Sequence, residues 1–146
     1  MSLISSSNTS AGGLARIDWL LKQTPDVLVL ELGGNDGLRG QPVAAVKERL
    51  RALVTRALER GVRVVLLGVQ LPPSLGREYV AEFEALYPAL AEELGCVFVP
   101  RVFDGVGGVE GMMLEDGIHP SARGHARLAA TIAPVLAPLL RAEGGG

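Results

Sequence analysis

The feature that most constrains this chain is a short, unbroken apolar run, Val27-Leu28-Val29-Leu30-Glu31-Leu32, bounded by Pro25 and by Gly33-Gly34. A run of this length, between residues that punctuate secondary structure, suits a strand buried on both faces, as in a parallel sheet. Val62 to Val69 repeats the pattern, and Cys96 to Val99 repeats it in shorter form. The segments between these runs have helical spacing. Residues 42–60 carry Pro42 in the first turn, an apolar stripe of Val46, Leu50, Leu53, Ala57 and Leu58, and Gly61 as a C′ residue. Residues 77–94 form a further helix ended by Gly95, with Pro88 expected to kink or split it. Residues 10–23 read as a helix with Ser10 as N-cap and Leu14, Ile17, Leu20 and Leu21 on one stripe, ended by Pro25. A glycine-rich loop from Asp104 to Gly117 precedes a last helix over 121–141. Ser121 is its N-cap, and Pro134 and Pro138 predict irregular final turns.

Helices and strands alternating in this way predict an α/β domain, a parallel sheet with helices on both faces. In such sheets ligands bind at the carboxyl ends of the strands, which is where chemistry is to be sought. The 146 residues suit one domain, over 1–146, and with 48% hydrophobic residues disorder is not the default reading. A net charge of −2 without a basic run offers nothing to nucleic acid or an anionic membrane. No apolar stretch reaches the ~20 residues of a membrane span. Met1 to Ser10 has neither a charged nor an apolar signal region. The compartment stays open between the cytoplasm and a periplasmic or secreted parent whose signal lies upstream. The single cysteine, Cys96, lies in an apolar run and is expected to be a buried structural thiol. Two histidines and one cysteine, widely spaced, make no metal site, and no phosphate-cradling glycine motif calls for a nucleotide or flavin. No cofactor is expected.

Two segments fall at strand ends. Gly33-Gly34-Asn35-Asp36 follows the first strand: its glycines permit a tight turn and a close backbone approach, and Asn35 offers an amide donor. The bland alternative is a turn in which Asn35 and Asp36 satisfy only local backbone groups. Asp116-Gly117-Ile118-His119-Pro120 places a carboxylate three residues before a histidine. That spacing can fix the ring tautomer and free the other nitrogen as a general base, or make a simple loop ion pair. His125, inside the last helix, reads as structural or solvated.

Taken together, Gly33-Gly34-Asn35-Asp36 with Gly37-Leu38-Arg39-Gly40, and Asp116-Gly117-Ile118-His119-Pro120, resemble the SGNH (GDSL-type) hydrolases, in particular the bacterial arylesterase and thioesterase I/lysophospholipase group. Asn8-Thr9-Ser10-Ala11-Gly12-Gly13-Leu14-Ala15-Arg16, Leu71-Pro72-Pro73 and Tyr87-Pro88 extend the similarity over nearly the whole chain. The resemblance implies a three-layer α/β/α, flavodoxin-like sheet and a serine hydrolase acting on small acyl esters or thioesters. It implies His119 as general base, Asp116 as its orienting partner and Asn35 as oxyanion donor. The backbone N–H of Ser7 would be a second donor. Gly34, Gly37, Leu38, Arg39 and Gly40 would line the acyl site, with Leu71 and Pro72 on the opposite wall.

The family's Gly-Asp-Ser nucleophile motif is not found in these 146 residues, and the resemblance therefore implies a domain lacking its N-terminal strand or strands. Three expectations follow. The chain alone is inactive, with a non-catalytic SGNH-like domain that binds a small acyl ligand as the alternative. One of Ser5, Ser6 or Ser7 as a replacement nucleophile is the minor possibility. The strand at 27–32 is left with an open edge, predicting a homo-oligomer formed through it.

Overall fold

Val27–Leu30 and Arg63–Leu67 form strands that pair in parallel, Leu28 opposite Val64 and Leu30 opposite Leu66. Around them a computed structural model of the protein describes residues 2–4, 9–23, 25–102, 104–115 and 120–144, with backbone only for 2–4 and 140–144. The chain divides into two compact units, Met1–Pro100 and Arg101–Gly146. The first contains β1 (Ser2–Ile4), α1 (Ser10–Leu21), β2 (Val27–Leu30), α2 (Gly34–Leu38) and α3 (Val43–Glu59). It continues with β3 (Arg63–Leu67), a 3₁₀ turn (Pro73–Leu75), α4 (Arg77–Leu94) and β4 (Val97–Val99). All four strands run parallel in the order β1-β2-β3-β4.

Leu28 and Leu30 of β2 and Val64 and Leu66 of β3 share one cluster with Ile17 of α1, Leu50 and Leu53 of α3, and Phe83 and Leu90 of α4. The three crossover helices therefore cover the same face of the sheet. The alternate residues Val27, Val29, Val65 and Leu67 are buried as well, which is why the strands read as continuous apolar runs rather than alternating ones.

The second unit consists of a turn-rich segment and α5 (Ala122–Gly144). Ser121 caps α5 as expected, its Oγ accepting the N–H of Gly124 at 3.2 Å and donating to the carbonyl of Gly111 at 2.7 Å. No helix among the described residues is long and apolar enough to cross a membrane.

Several expectations are corrected. α4 is not split at Pro88 but runs through it as one helix. An interior proline costs about 3 kcal/mol. Phe83, Leu86, Tyr87 and Leu90 are all buried, each contributing about 1.5–3 kcal/mol, and together they outweigh that cost. α5 likewise continues through Pro134 and Pro138. The two rings, four residues apart, lie on one exposed face, where water can take the carbonyls they leave without partners. Cys96 is half-buried rather than buried, and that partial burial raises its thiol pKa. The edge of β2 expected to be open is paired in the same chain, Ser2–Ile4 lying along Leu28–Leu30. The premise for an oligomer through that edge is thereby removed. Residues 2–4 carry no strand signal in sequence, because three residues are too few to show a period.

Candidate active site

β2 delivers the chain to Glu31 and Leu32, and Gly33 then turns it with φ +111°, a conformation that penalises any side chain. Gly33 is also where α4 comes closest: a Cβ on it would overlap the hydroxyl of Tyr87. That hydroxyl donates to the carbonyl of Leu32 at 2.7 Å, so the strand end and the turn are fixed by one buried side chain. Burial raises the pKa of the Tyr87 phenol, with the charge of Asp36 a secondary cause. The group therefore acts as a permanent donor.

Gly34, Asn35, Asp36, Gly37 and Leu38 then form α2, a single short helical turn with no side-chain cap. Asn35 and Gly34 are half-buried, Asp36 and Gly37 buried, and Leu38, Arg39 and Gly40 exposed. The buried carboxylate of Asp36 is fully engaged: Oδ2 accepts the backbone N–H of Ser10 at 2.8 Å and Oδ1 accepts the Ser10 hydroxyl at 3.0 Å. Arg49 of α3 stands 3.7 Å from Oδ1. Ser10 is consequently not the N-cap of α1. Thr9 is, its Oγ1 accepting the N–H of Gly12 at 3.1 Å, and Ser10 is left to serve Asp36.

Gly37 and Leu71, expected on opposite walls of an acyl site, are packed directly against each other. A Cβ on Gly37 would lie 2.6 Å from the side chain of Leu71 and 3.1 Å from Phe83, so only glycine fits between them. Leu71 is buried and Pro72 exposed. The N–H of Leu71 donates to Glu84 Oε2 at 3.1 Å, and the Tyr79 hydroxyl donates to the Gln41 carbonyl at 2.6 Å. Tyr79, Phe83 and Tyr87 recur every four residues along α4, with successive ring centroids 5.9 Å apart. One helix face thus supports the segment 32–41 at its start, middle and end.

Ser7, Asp116 and His119 lie outside the described residues. In the second unit Met113 and Pro120 form an antiparallel bridge, and the N–H of Ser121 donates to the carbonyl of Met112 at 2.9 Å, pinning the residues that flank 116–119. His125 is exposed, its backbone N–H bonded to the Ser121 carbonyl. No cluster of three His, Cys, Asp or Glu side chains able to hold a metal occurs among the described residues. The supporting residues Glu84, Tyr79 and Arg49 were not singled out from sequence, and Ser10 was singled out as an N-cap rather than as a partner of Asp36. Tyr87 was, within Tyr87-Pro88, though without a role.

Residues 4–127 match the model of the GDSL-like Lipase/Acylhydrolase family. The Esterase TesA of Pseudomonas aeruginosa is 46% identical over 136 residues, covering 92% of this chain and 68% of that protein. The Thioesterase 1/protease 1/lysophospholipase L1 of Escherichia coli K12 is 37% identical over 136 residues, covering 92% of this chain and 65% of its own length. The crystal structure of the psychrotrophic esterase EstA from a Pseudoalteromonas species superposes with a TM-score of 0.85 at 28% identity, covering 92% of this chain and 74% of that one. The chain spans about two thirds of the length of the curated relatives it matches.

Proposed function

The chain belongs to the GDSL-like lipase/acylhydrolase family, with the flavodoxin-like α/β fold of the SGNH hydrolases, and on that premise we propose that its site serves the hydrolysis of small carboxylic esters or thioesters by acyl transfer. The observation that supports this reading is the turn after β2, which holds Asn35 in place beside a fully bonded Asp36 and a glycine that admits no side chain.

In this mechanism a serine hydroxyl attacks the acyl carbonyl while His119 takes its proton. The negative charge that develops on the carbonyl oxygen is met by the Asn35 side chain and the Ser7 backbone N–H. His119 then protonates the departing alcohol or thiol, and water, deprotonated by His119 in turn, releases the acid and restores the serine. Asp116 orients the imidazole and stabilises its cation. Loss of one oxyanion donor typically lowers turnover by about 10²–10³. Gly34, Leu38, Arg39 and Gly40, with Pro72 opposite, would receive the acyl group, and the packed pair of Gly37 and Leu71 would hold that segment in place.

No Gly-Asp-Ser occurs within the 146 residues. The chain as it stands is therefore expected to bind acyl ligands without turning them over. Hydrolysis of p-nitrophenyl butyrate should be no faster than with His119→Ala, and a fluorophosphonate probe should label no serine. In a polypeptide that carries a family Gly-Asp-Ser strand ahead of residue 1, turnover should appear, and both His119→Ala and Asn35→Ala should remove most of it. Robust labelling of Ser5, Ser6 or Ser7 in the chain alone would overturn the non-catalytic reading. Turnover that persists in the extended polypeptide after His119→Ala would overturn the hydrolase mechanism.

A further inference from the structure

Asp36 is the one buried carboxylate among the described residues, 2% exposed, and the proposed mechanism gives it no role. We propose that Asp36 is a positioning residue that locks the Asn35 turn to the start of α1. It thereby fixes the turn that carries Asn35, the expected oxyanion donor, to an element 26 residues away in sequence. The inference rests on the hydrolase reading of Asn35.

The geometry leaves Asp36 little else to do. Both of its oxygens accept from one residue, Oδ2 from the Ser10 N–H and Oδ1 from the Ser10 hydroxyl. A general acid or base needs an oxygen turned toward the reacting atoms. The Ser10 N–H is one of the first amides of α1, which have no carbonyl of their own helix to reach. Asp36 supplies the missing acceptor from 26 residues away in sequence. Thr9 already performs the capping, so the Ser10 hydroxyl is spared for the same carboxylate. Arg49, reaching from α3 to within 3.5 Å of the Ser10 Oγ and 3.7 Å of Asp36 Oδ1, closes a three-element junction. α2 is too short to hold itself in place and has no side-chain cap, so outside contacts decide where it sits. Asn35 is the neighbour of Asp36 on that turn. Displacements of about 1 Å at such a donor can cost about 10² in rate.

The test is nitrogen-15 NMR and amide hydrogen exchange on the full chain, comparing Asp36→Ala, Asp36→Asn and Ser10→Ala with the unmodified protein. In Asp36→Ala, protection of the Ser10 amide should fall by about tenfold or more. The Asn35 side-chain NH₂ pair should move toward the position of a free asparagine, while the Leu66 amide in β3 changes far less. Asp36→Asn keeps the shape and an acceptor oxygen and should restore most of both signals. Ser10→Ala, which leaves the backbone bond, should shift the Asn35 pair in the same direction by less. If Asp36→Ala does not fold, the Ser10→Ala and Asp36→Asn shifts decide the matter alone. An Asn35 pair that stays put in the folded variants overturns the proposal, as does a loss at Leu66 as large as that at Ser10. Titration of the unmodified chain with hexanoate, standing in for the acyl product, reads the site separately. Failure of hexanoate to perturb Asn35 counts against the hydrolase reading, while dependence of the Asn35 signals on Asp36 still establishes the lock.

Discussion

Two glycine-rich loops in this protein look alike in sequence and are built on opposite plans. The segment 32–41 uses Gly33 and Gly37 because other side chains occupy the space a Cβ would need, Tyr87 at the first and Leu71 and Phe83 at the second. The segment 104–115 uses Gly105, Gly108 and Gly111 for their backbone angles, φ +80°, +72° and +82°, in a series of turns closed by bonds such as Val109 N–H to Val106 O and Met112 N–H to Val109 O. A Cβ on Gly108 would meet open space, and on Gly105 and Gly111 only the ends of Arg127 and Arg123. The first loop is held by long-range side-chain bonds from α1 and α4, the second by its own backbone turns and by bonds from Ser121, just before α5. A loop of the first kind keeps its shape only while distant residues are intact. A loop of the second kind tolerates change around it.

The largest expected effect breaks this contrast directly. Gly33→Ala adds a positive-φ penalty to a collision with Tyr87 that also threatens the Leu32 bond, and should cost about 3 kcal/mol or more. Gly108→Ala carries the φ penalty alone, about 1–2 kcal/mol. Urea unfolding of both variants measures the difference, and equal losses would mean that the α4 contact is soft.

Tyr87→Phe comes next. It strips the buried Leu32 carbonyl of its donor and should cost about 1–3 kcal/mol. It carries a pH signature as well. The pKa of this phenol is raised in the folded protein, so its contribution is complete below the unfolded value of about 10 and is lost as pH rises beyond it. Thermal melts across that range should fall less steeply for Tyr87→Phe than for the unmodified chain.

The smallest effect sharpens the comparison. Glu84→Gln keeps an oxygen for the Leu71 N–H and should change stability by about 0.5 kcal/mol or less, whereas Glu84→Ala, which removes the acceptor, should cost about 1 kcal/mol. Chemical denaturation of the pair separates loss of the bond from loss of the charge.

Much of the fold was legible because its signals are local. Of the stripe Val46, Leu50, Leu53, Ala57 and Leu58, the first four are wholly buried in α3 and Leu58 packs half-buried against the core, and Gly61 and Gly95 end their helices at φ +75° and +70°. The continuous apolar runs marked β2 and β3 because both of their faces are buried. The errors arose where a local rule met a distant partner. Ser10 has the side chain of a cap, but Asp36 claims it and Thr9 caps instead. Pro88 breaks helices by itself, but the core contacts of its neighbours carry α4 past it.

At the candidate site the division is the same. The family, the glycines of the turn, and Asn35, Asp116 and His119 as the residues to test were legible in the linear chain, because these belong to short contiguous motifs whose chemistry depends on residue type and close spacing. What Asp36 does and what holds the turn became visible in the folded molecule alone. Ser10, Arg49 and Tyr87 lie 26, 13 and 51 residues from Asp36 and meet its loop only because parallel strands with helical crossovers return the chain to the same sheet end. No period or motif in a linear chain encodes that meeting, since a hydrogen bond depends on a distance of about 3 Å and an angle that the packed core alone fixes.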